Sequence, residues 1–248
     1  MVNALRHLPE TSDTLAAAIE VRCEIRNALT VLGEPGRVFD HLREAEALAL
    51  RLNDHRRRAR VVALVSQSYM IVGDHDQALE AGQRALHLAE AANDLDAEVM
   101  ANAALGVASY HRGDFRQCIR FSRRNIELLT AELITQRFGL PIFPAVSSRC
   151  FLACCLAHMG NFAQALAIGK EAVHIAEQVG HPYSQVHADF QLGCILNVIR
   201  ATKRRAHRII DRHAQRLLPT LPGALRVERR IAIIDGVSSE AVPSGVQA

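Results

Sequence analysis

A short turn phrase, glycine followed by Asp or Asn, recurs along the chain between apolar stretches. It occurs as Gly73-Asp74, as Gly113-Asp114 and as Gly160-Asn161, each time with Gln four residues after the glycine. Glycine ends a helix by adopting a left-handed backbone, and Asp or Asn caps the start of the next helix. Each phrase therefore predicts the turn of a helical hairpin.

The spacing of these turns predicts the fold class. A weaker copy of the phrase at Gly33 places the turn glycines at 33, 73, 113 and 160, which are 40, 40 and 47 residues apart. Periods of this length are typical of solenoids. With 4% aromatic residues and no Trp, the core must be built from small and aliphatic side chains, which favours closely packed helices. We predict an all-α fold, a right-handed superhelical solenoid of antiparallel helix pairs.

The helical periodicity also predicts the domain organisation. Residues 13–200 form the repeat array, with four hairpins and the first helix of a fifth, after a short leader at residues 1–12. Two prolines, Pro141 and Pro144, cannot both lie in a helix interior, so residues 138–144 form an insertion that lengthens the third period. Residues 201–236 are predicted to be a basic, loosely packed helical tail, and residues 237–248 to be disordered.

The tail begins where the fifth hairpin should turn, at position 200, but the Gly-Asp phrase is missing there. The following sequence places four arginines at i, i+4 spacing: Arg204, Arg208, Arg212 and Arg216. Three interpretations remain open. The first is a helix that contacts an anionic membrane or nucleic acid, and the second is a poorly packed, solvated cap. The third is the product of a shifted reading frame, because codons for Arg-Ala-Thr, read one nucleotide back, can encode Gly-Asp. The incomplete fifth unit would then expose Leu192, Ile195 and Leu196 to self-association.

Composition narrows the function classes. Residues 201–248 carry nine Lys or Arg against four acidic residues, whereas residues 1–200 carry 20 against 22, so the repeat body is not basic and no specific nucleic acid is expected. The sequence shows no secretory leader and no apolar run long enough to span a membrane, so we expect a cytoplasmic protein. The six cysteines lack framework spacing, and no disulfides are expected.

Other positions around each turn resemble the tetratricopeptide repeat. That signature has a small residue seven positions before the turn glycine, an aromatic two after it and a small residue five after it. The matching residues are Gly106, Ala153 and Gly193; Phe115 and Phe162; and Ala78, Cys118 and Ala165. Because the period of 40 exceeds the usual ~34 residues, the helices are expected to be about one turn longer.

Several segments resemble a more particular family. They are LPE at residues 8–10, AIEVR at 18–22, RNAL at 26–29, DHLREAEAL at 40–48, RFGLP at 137–141 and HPYS at 181–184. Together they resemble the long-period repeat region at the C-terminal end of bacterial proteins that join a class III adenylate or guanylate cyclase domain to a predicted ATPase domain. The resemblance covers about residues 8–200. It implies an interaction or sensory module, because catalysis in that family belongs to the upstream domains.

The catalytic motifs that we sought are missing from the sequence. It contains no Gly-rich phosphate loop followed by Lys-Ser or Lys-Thr, no Gly-x-Ser-x-Gly elbow and no His-Glu-x-x-His helix. We therefore predict that the chain is not an enzyme and has no catalytic residues, no cofactor and no metal site.

Two clusters have alternative interpretations. The group Cys150, Cys154, Cys155 and His158 could bind a soft metal, but its apolar flanks favour buried packing. The basic cluster at residues 56–58 with Arg60 could serve an acidic partner or nucleic acid, but a solvated helix surface is the better interpretation.

The first helix of each hairpin is expected to line the concave face of such an array, where a protein or peptide partner would bind. By register, the candidate binding residues are Arg60, Gln67, Met70, Tyr110, His111, His158, His187, Phe190 and Asn197. The predicted function is that of a non-catalytic protein-interaction scaffold related to cyclase and ATPase signalling proteins. The alternatives are the helical-repeat part of a transcription regulator, or a truncated or frame-broken fragment with no independent function.

Overall fold

The structure is a computed structural model that describes residues 9–217, apart from the side chains of Val31, Ala206, His207 and residues 209–217. Most of the predicted leader lies outside these residues, and so does the segment 237–248 that was predicted to be disordered. Of the predicted tail, only residues 201–217 are described.

All the regular structure in the described residues is helical. The helices are α1 (Ser12–Leu32), α2 (Pro35–Arg51), α3 (His55–Ile71), α4 (His75–Ala92), α5 (Leu95–His111), α6 (Phe115–Leu128), α7 (Pro144–His158), α8 (Phe162–Val179) and α9 (Pro182–Leu217), with a 3-10 turn at Ala131–Thr135. Successive helices pack pairwise in sequence. The prediction of an all-α array of helix pairs is confirmed.

The turn phrases act through the backbone and, in the two that contain Asp, through a side chain, whereas Asn161 makes no side-chain hydrogen bond to the start of α8. Gly73, Gly113 and Gly160 have φ of +84°, +82° and +86°, a left-handed conformation that ends a helix without strain in glycine. The Asp74 carboxylate then accepts the backbone N–H of Gln77 at 3.1 Å and caps α4, and Asp114 caps α6 in the same way. These contacts explain why one helix ends and the next begins at each of the predicted turns.

Each even-numbered helix of the array fills the wedge between two successive first helices. From α6, the Asn125 amide donates to the Val99 carbonyl of α5 at 3.0 Å and to the Ser148 hydroxyl of α7 at 3.3 Å. On α4, a Cβ atom at Gly82 would lie 2.7 Å from Leu105 on α5, so only glycine fits without a shift. Small residues at these crossings let three helices approach closely.

The insertion, predicted at residues 138–144, lies at residues 136–143, between the 3-10 turn and α7, because Pro144 is the first residue of α7. It does more than lengthen one period. Its Leu140 is buried and belongs to the same core cluster as Val61 of α3 and Met100 of α5. Phe138 packs against that cluster as well. The segment between α6 and α7 therefore packs against the preceding hairpins.

Helix α9 runs through position 200 without a turn. Of the described residues, those up to Ile195 form one compact unit, which contains the helix array, and those from Leu196 to Leu217 belong to a second. The expectation that Leu192, Ile195 and Leu196 are all exposed was wrong for Ile195, which is buried, while Leu192 is half-buried and Leu196 exposed. Ile195 is buried because it packs against α8, where Gly169 leaves room for it. A Cβ atom at Gly169 would lie 3.1 Å from Leu192 and 3.2 Å from Ile195.

Of the four arginines at i, i+4 spacing in the predicted tail, Arg204 and Arg208 have described side chains, and both are exposed. The side chains of Arg212 and Arg216 lie outside the described residues.

Candidate functional site

The insertion contributes to two grooves that are lined by the first helices of the hairpins. Phe138 and Gly139 line the first, which we call the N-terminal groove, with α1, α3 and α5; its volume is about 160 Å³. Residues 140–142 line the second, the C-terminal groove, with α3, α5, α7 and α9; its volume is about 310 Å³. Consecutive residues of one segment thus form a wall of each groove.

The N-terminal groove is lined by charged residues that pair with one another. Arg60, one of the predicted binding residues, contacts Asp96 at 2.9 Å and Asp94 at 3.3 Å. Arg57 of the basic cluster contacts Glu20 at 3.4 Å and also pairs with Asp54. Such pairs hold α1, α3 and α5 together, so these arginines already have acidic partners within the chain.

The C-terminal groove brings together four of the predicted residues, Gln67, Met70, His111 and His187. The rest of its lining is mainly apolar: Ile71, Ala103, Ala104, Val107, Leu140, Pro141, Ile142, Ser147, Phe151, Tyr183 and Gln191. The amide oxygen of Gln191 accepts the Cys154 thiol at 3.2 Å. The groove lining is therefore mainly apolar, with two amides and two imidazoles among it.

A buried arginine, Arg26, holds Gln67 in place. Arg26 is only 2% exposed, and it donates to the Gln67 amide oxygen at 2.7 Å, the Asn27 amide oxygen at 2.9 Å and the Ser68 hydroxyl at 3.3 Å. Burial lowers its pKa to about 10, so it remains charged at neutral pH. The sequence offered one signal for it, because Arg26 lies seven residues before Gly33, where the repeat signature has a small residue.

Aromatic rings connect the C-terminal groove to the turns. The Tyr110 ring lies 5.3 Å from Phe151, the His187 ring 5.8 Å from Phe151, and the His158 ring stacks on Phe115 at 5.0 Å. Of the predicted residues, Tyr110 and His158 therefore belong to this row of rings and not to the groove lining. Burial raises the pKa of Tyr110 to about 12, so its hydroxyl stays protonated.

The imidazoles of the groove favour the neutral form. Burial lowers the pKa of His187. Burial, and then the neighbouring imidazole of His75, lowers the pKa of His111. The His75 and His111 rings are stacked with their centroids 5.4 Å apart. His111 and His187 therefore add no charge to the groove lining near neutral pH.

The cysteines are free, and four of them are buried: Cys118, Cys150, Cys154 and Cys155. Burial raises the pKa of Cys154 to about 12 and that of Cys23, on the wall of the other groove, to about 11. These thiols are protonated at neutral pH, unlike a nucleophilic cysteine. Among the side chains that the structure describes, no group of three or more His, Cys, Asp or Glu is arranged to hold a metal ion.

The last two predicted residues lie away from both grooves. Phe190 is exposed on α9, and Asn197 is exposed on the part of α9 that belongs to the second unit. Among the helices of the described part of the chain, none is both long and apolar enough to cross a bilayer.

Comparison with known proteins supports the fold. No protein-family model and no curated protein sequence matches this chain. A signal transduction ATPase (STAND) with a tetratricopeptide repeat sensor from Pyrococcus horikoshii is similar in structure, with a TM-score of 0.58 and 16% identity over 88% of this chain. This chain spans 32% of that protein, about a third of its length.

Two further structures are similar over most of this chain. The TPR-like repeats of a kinesin-light-chain-type protein from Podosopora anserina match with a TM-score of 0.57 and 14% identity, over 86% of this chain and 99% of that one. A Rap protein in complex with competence and sporulation factor matches with a TM-score of 0.57 and 13% identity, over 96% of this chain and 68% of that one. At these identities the likeness establishes a tetratricopeptide-like fold.

Proposed function

We propose that this chain is a non-catalytic interaction module that binds a polypeptide partner in the C-terminal groove. The observation that carries the proposal is the groove's construction. Four first helices of the array, α3, α5, α7 and α9, and the insertion form a mainly apolar groove, whose lining also includes Gln67, Gln191 and His187. An apolar side chain of the partner would contact the apolar residues of the groove, while the amides and imidazole would bond to its backbone.

The charge distribution favours this groove over its neighbour. Arg57 and Arg60 in the N-terminal groove already pair with acidic side chains, so a partner there would have to displace ion pairs that join three helices. The C-terminal groove offers neutral polar groups over an apolar surface, which cost less to desolvate. Partner recognition by apolar anchoring agrees with this environment.

The likeness to other repeat proteins supports the same class of function. The similar Rap protein was solved in complex with competence and sporulation factor, and the similar ATPase carries its repeats as a sensor. By analogy, and from the sequence resemblance to cyclase and ATPase proteins, we propose that this module belongs to a signalling system. The Cys23 thiol on the wall of the N-terminal groove is protonated at neutral pH, which supports a role in binding without nucleophilic catalysis there.

A displayed peptide library selected on the purified full-length chain tests this proposal. We expect the selected peptides to carry an apolar anchor residue. We also expect them to bind poorly to the variants Met70→Arg and His187→Ala, because both residues line the groove. A matched control is Leu50→Arg, since Leu50 is exposed on α2 and lies outside both grooves. Selected peptides that bind all three variants as well as the wild type would contradict the proposed site.

A further inference from the structure

One face of α9 is exposed, although the equivalent face of every other first helix is buried. In α1, α3, α5 and α7, the residues 14, 11 and 7 positions before the turn glycine are all buried: Ile19, Arg22, Arg26, Ala59, Val62, Ser66, Val99, Asn102, Gly106, Val146, Arg149 and Ala153. Counted back from position 200, the same positions in α9 are Val186, Asp189 and Gly193. All three are exposed, Val186 by 66%. We call these three residues the open face.

In the complete hairpins, the second helix covers these positions. Ser66 donates its hydroxyl to the Ala78 carbonyl of α4 at 2.6 Å, and a Cβ atom at Gly106 would lie 3.5 Å from the Ser122 hydroxyl of α6. A Cβ atom at Gly193 would meet nothing within 4 Å. Since α9 continues straight through position 200, the described residues supply no second helix for the open face.

We propose that the open face binds an amphipathic helix of a partner protein, in the place that a second helix takes in the other hairpins. This inference goes beyond the groove function above and concerns a separate surface. The chain itself shows what such a helix looks like, because α4 and α8 carry small residues 5, 9, 12 and 16 positions after the turn glycine. They are Ala78, Gly82, Ala85 and Ala89, and Ala165, Gly169, Ala172 and Ala176. A stripe of this kind fits close against Gly193.

Charge identifies the partner helix further. Arg22 pairs with Glu44 at 2.6 Å and Arg149 with Glu171 at 2.7 Å, and each glutamate lies 11 residues after its turn glycine. The open face has Asp189 at the arginine position, so the sign is reversed. The partner helix should carry Arg or Lys at the glutamate position, one residue before its third small residue.

A second copy of the chain is a poorer occupant. A two-fold pairing of open faces would place Asp189 against its own copy, and like charges at such a contact are unfavourable. Helix α4 has the required pattern, because Arg84 occupies the glutamate position within its stripe of small residues. A peptide of that sequence is therefore a suitable probe.

The test uses a labelled synthetic peptide of residues 73–93 and the full-length chain, with binding followed by fluorescence anisotropy. We expect saturable binding that weakens by about tenfold or more when Val186→Glu is introduced into the chain. The peptide with Arg84→Glu should bind the wild type weakly, and Asp189→Arg in the chain should restore its binding. A peptide that merely replaced α4 within the array would not respond to residue 189.

Leu32→Glu serves as the control, because Leu32 is exposed at the other end of the array and should leave binding unchanged. Circular dichroism checks that the variants keep their helix content. No binding by the peptide, or equal binding by the Val186→Glu chain, would overturn the proposal. So would sedimentation equilibrium showing a dimer of the chain that Val186→Glu dissociates, because the open face would then be a self-association surface.

Discussion

Hairpin four and the first helix of the fifth unit place the same residue type in opposite environments. Val146 on α7 and Val186 on α9 both lie 14 residues before the turn position, yet Val146 is fully buried and Val186 is 66% exposed. The difference is the second helix, which α7 has in α8 and α9 lacks in the described residues. Fully burying a valine side chain contributes about 1.5 to 3 kcal/mol. In such an array, the neighbouring helix decides how much a residue stabilises the fold.

The largest expected contrast comes from a bulky substitution seven residues before the turn. Ala153→Phe should lower the free energy of unfolding by about 2 to 3 kcal/mol, because Ala153 is fully buried between helices and the ring would strain both. Gly193→Phe at the equivalent exposed position should change it by less than about 0.5 kcal/mol. Urea unfolding followed by circular dichroism measures both.

The same experiment on Ala165→Phe examines the other side of the closed contact, since Ala165 is fully buried on α8. A loss comparable to that of Ala153→Phe is expected. If Gly193→Phe instead proved as destabilising as either substitution, the open face would have to be covered in solution.

A second contrast concerns the charged position 11 residues before the turn. Arg149→Ala should cost about 1 to 2 kcal/mol, because it removes hydrogen bonds to Glu171 at 2.7 Å and to the Ala145 carbonyl at 3.0 Å, while Glu171 keeps access to solvent. Asp189→Ala should be neutral within about 0.5 kcal/mol. Equal effects in thermal and urea unfolding would remove the distinction between hairpin four and the first helix of the fifth repeat.

Acidification should lower the free energy of unfolding through His187 on α9, by less than the substitutions above. Burial lowers the pKa of His187, whereas the unfolded imidazole titrates near about 6.5. The unfolded state therefore binds the proton more readily than the folded state. The contribution of His187 to the free energy of unfolding is complete above the unfolded pKa, and it is lost as the pH falls through the lower pKa of the folded state. Urea unfolding between pH 7.5 and 5 should show a shallower decline for His187→Asn.

His87→Asn is the matched control for that measurement, because His87 is exposed on α4. It should keep the pH dependence of the wild type. An unchanged slope for His187→Asn would show that the imidazole is solvated in the folded protein.

The smallest contrast involves two glycines in helix interiors. Gly193→Ala should stabilise by about 0.5 to 1 kcal/mol, because alanine is the better helix former and a Cβ atom meets nothing within 4 Å. Gly169→Ala should give no such gain, since its Cβ atom would lie 3.1 Å from Leu192. Thermal unfolding midpoints measured side by side would resolve the difference, and a gain at Gly169 would mean that α8 and α9 pack more loosely than the structure shows.

The helices were predictable because their ends are determined locally. A glycine such as Gly73 and a cap such as Asp74 act on the adjoining turn alone, so α3 and α4 lie close to where the sequence places them. Of the nine residues chosen by register along the first helices, four line one groove: Gln67, Met70, His111 and His187. Local signals of this kind do not depend on the rest of the chain.

Features that depend on distant contacts were not predictable. The insertion has no periodicity, so nothing in its sequence indicates that Leu140 packs with residues of α3 and α5. Ile195 was expected to be exposed because the fifth hairpin is incomplete, but the small residue that buries it, Gly169, lies on the preceding hairpin. Arg60 was assigned to partner binding, although its ion pairs to Asp94 and Asp96 depend on the position of α5.

The position of Leu140 also affects how the chain folds. In a simple solenoid each repeat touches only its neighbours, so folding can nucleate anywhere and spread, and the ends can fray separately. Leu140 shares a core with Val61, about 80 residues earlier in the chain, and closing such a loop adds contact order to an otherwise local topology. The first three hairpins should therefore lose their structure as one cooperative unit, with folding slower than the short-range helix contacts alone would give.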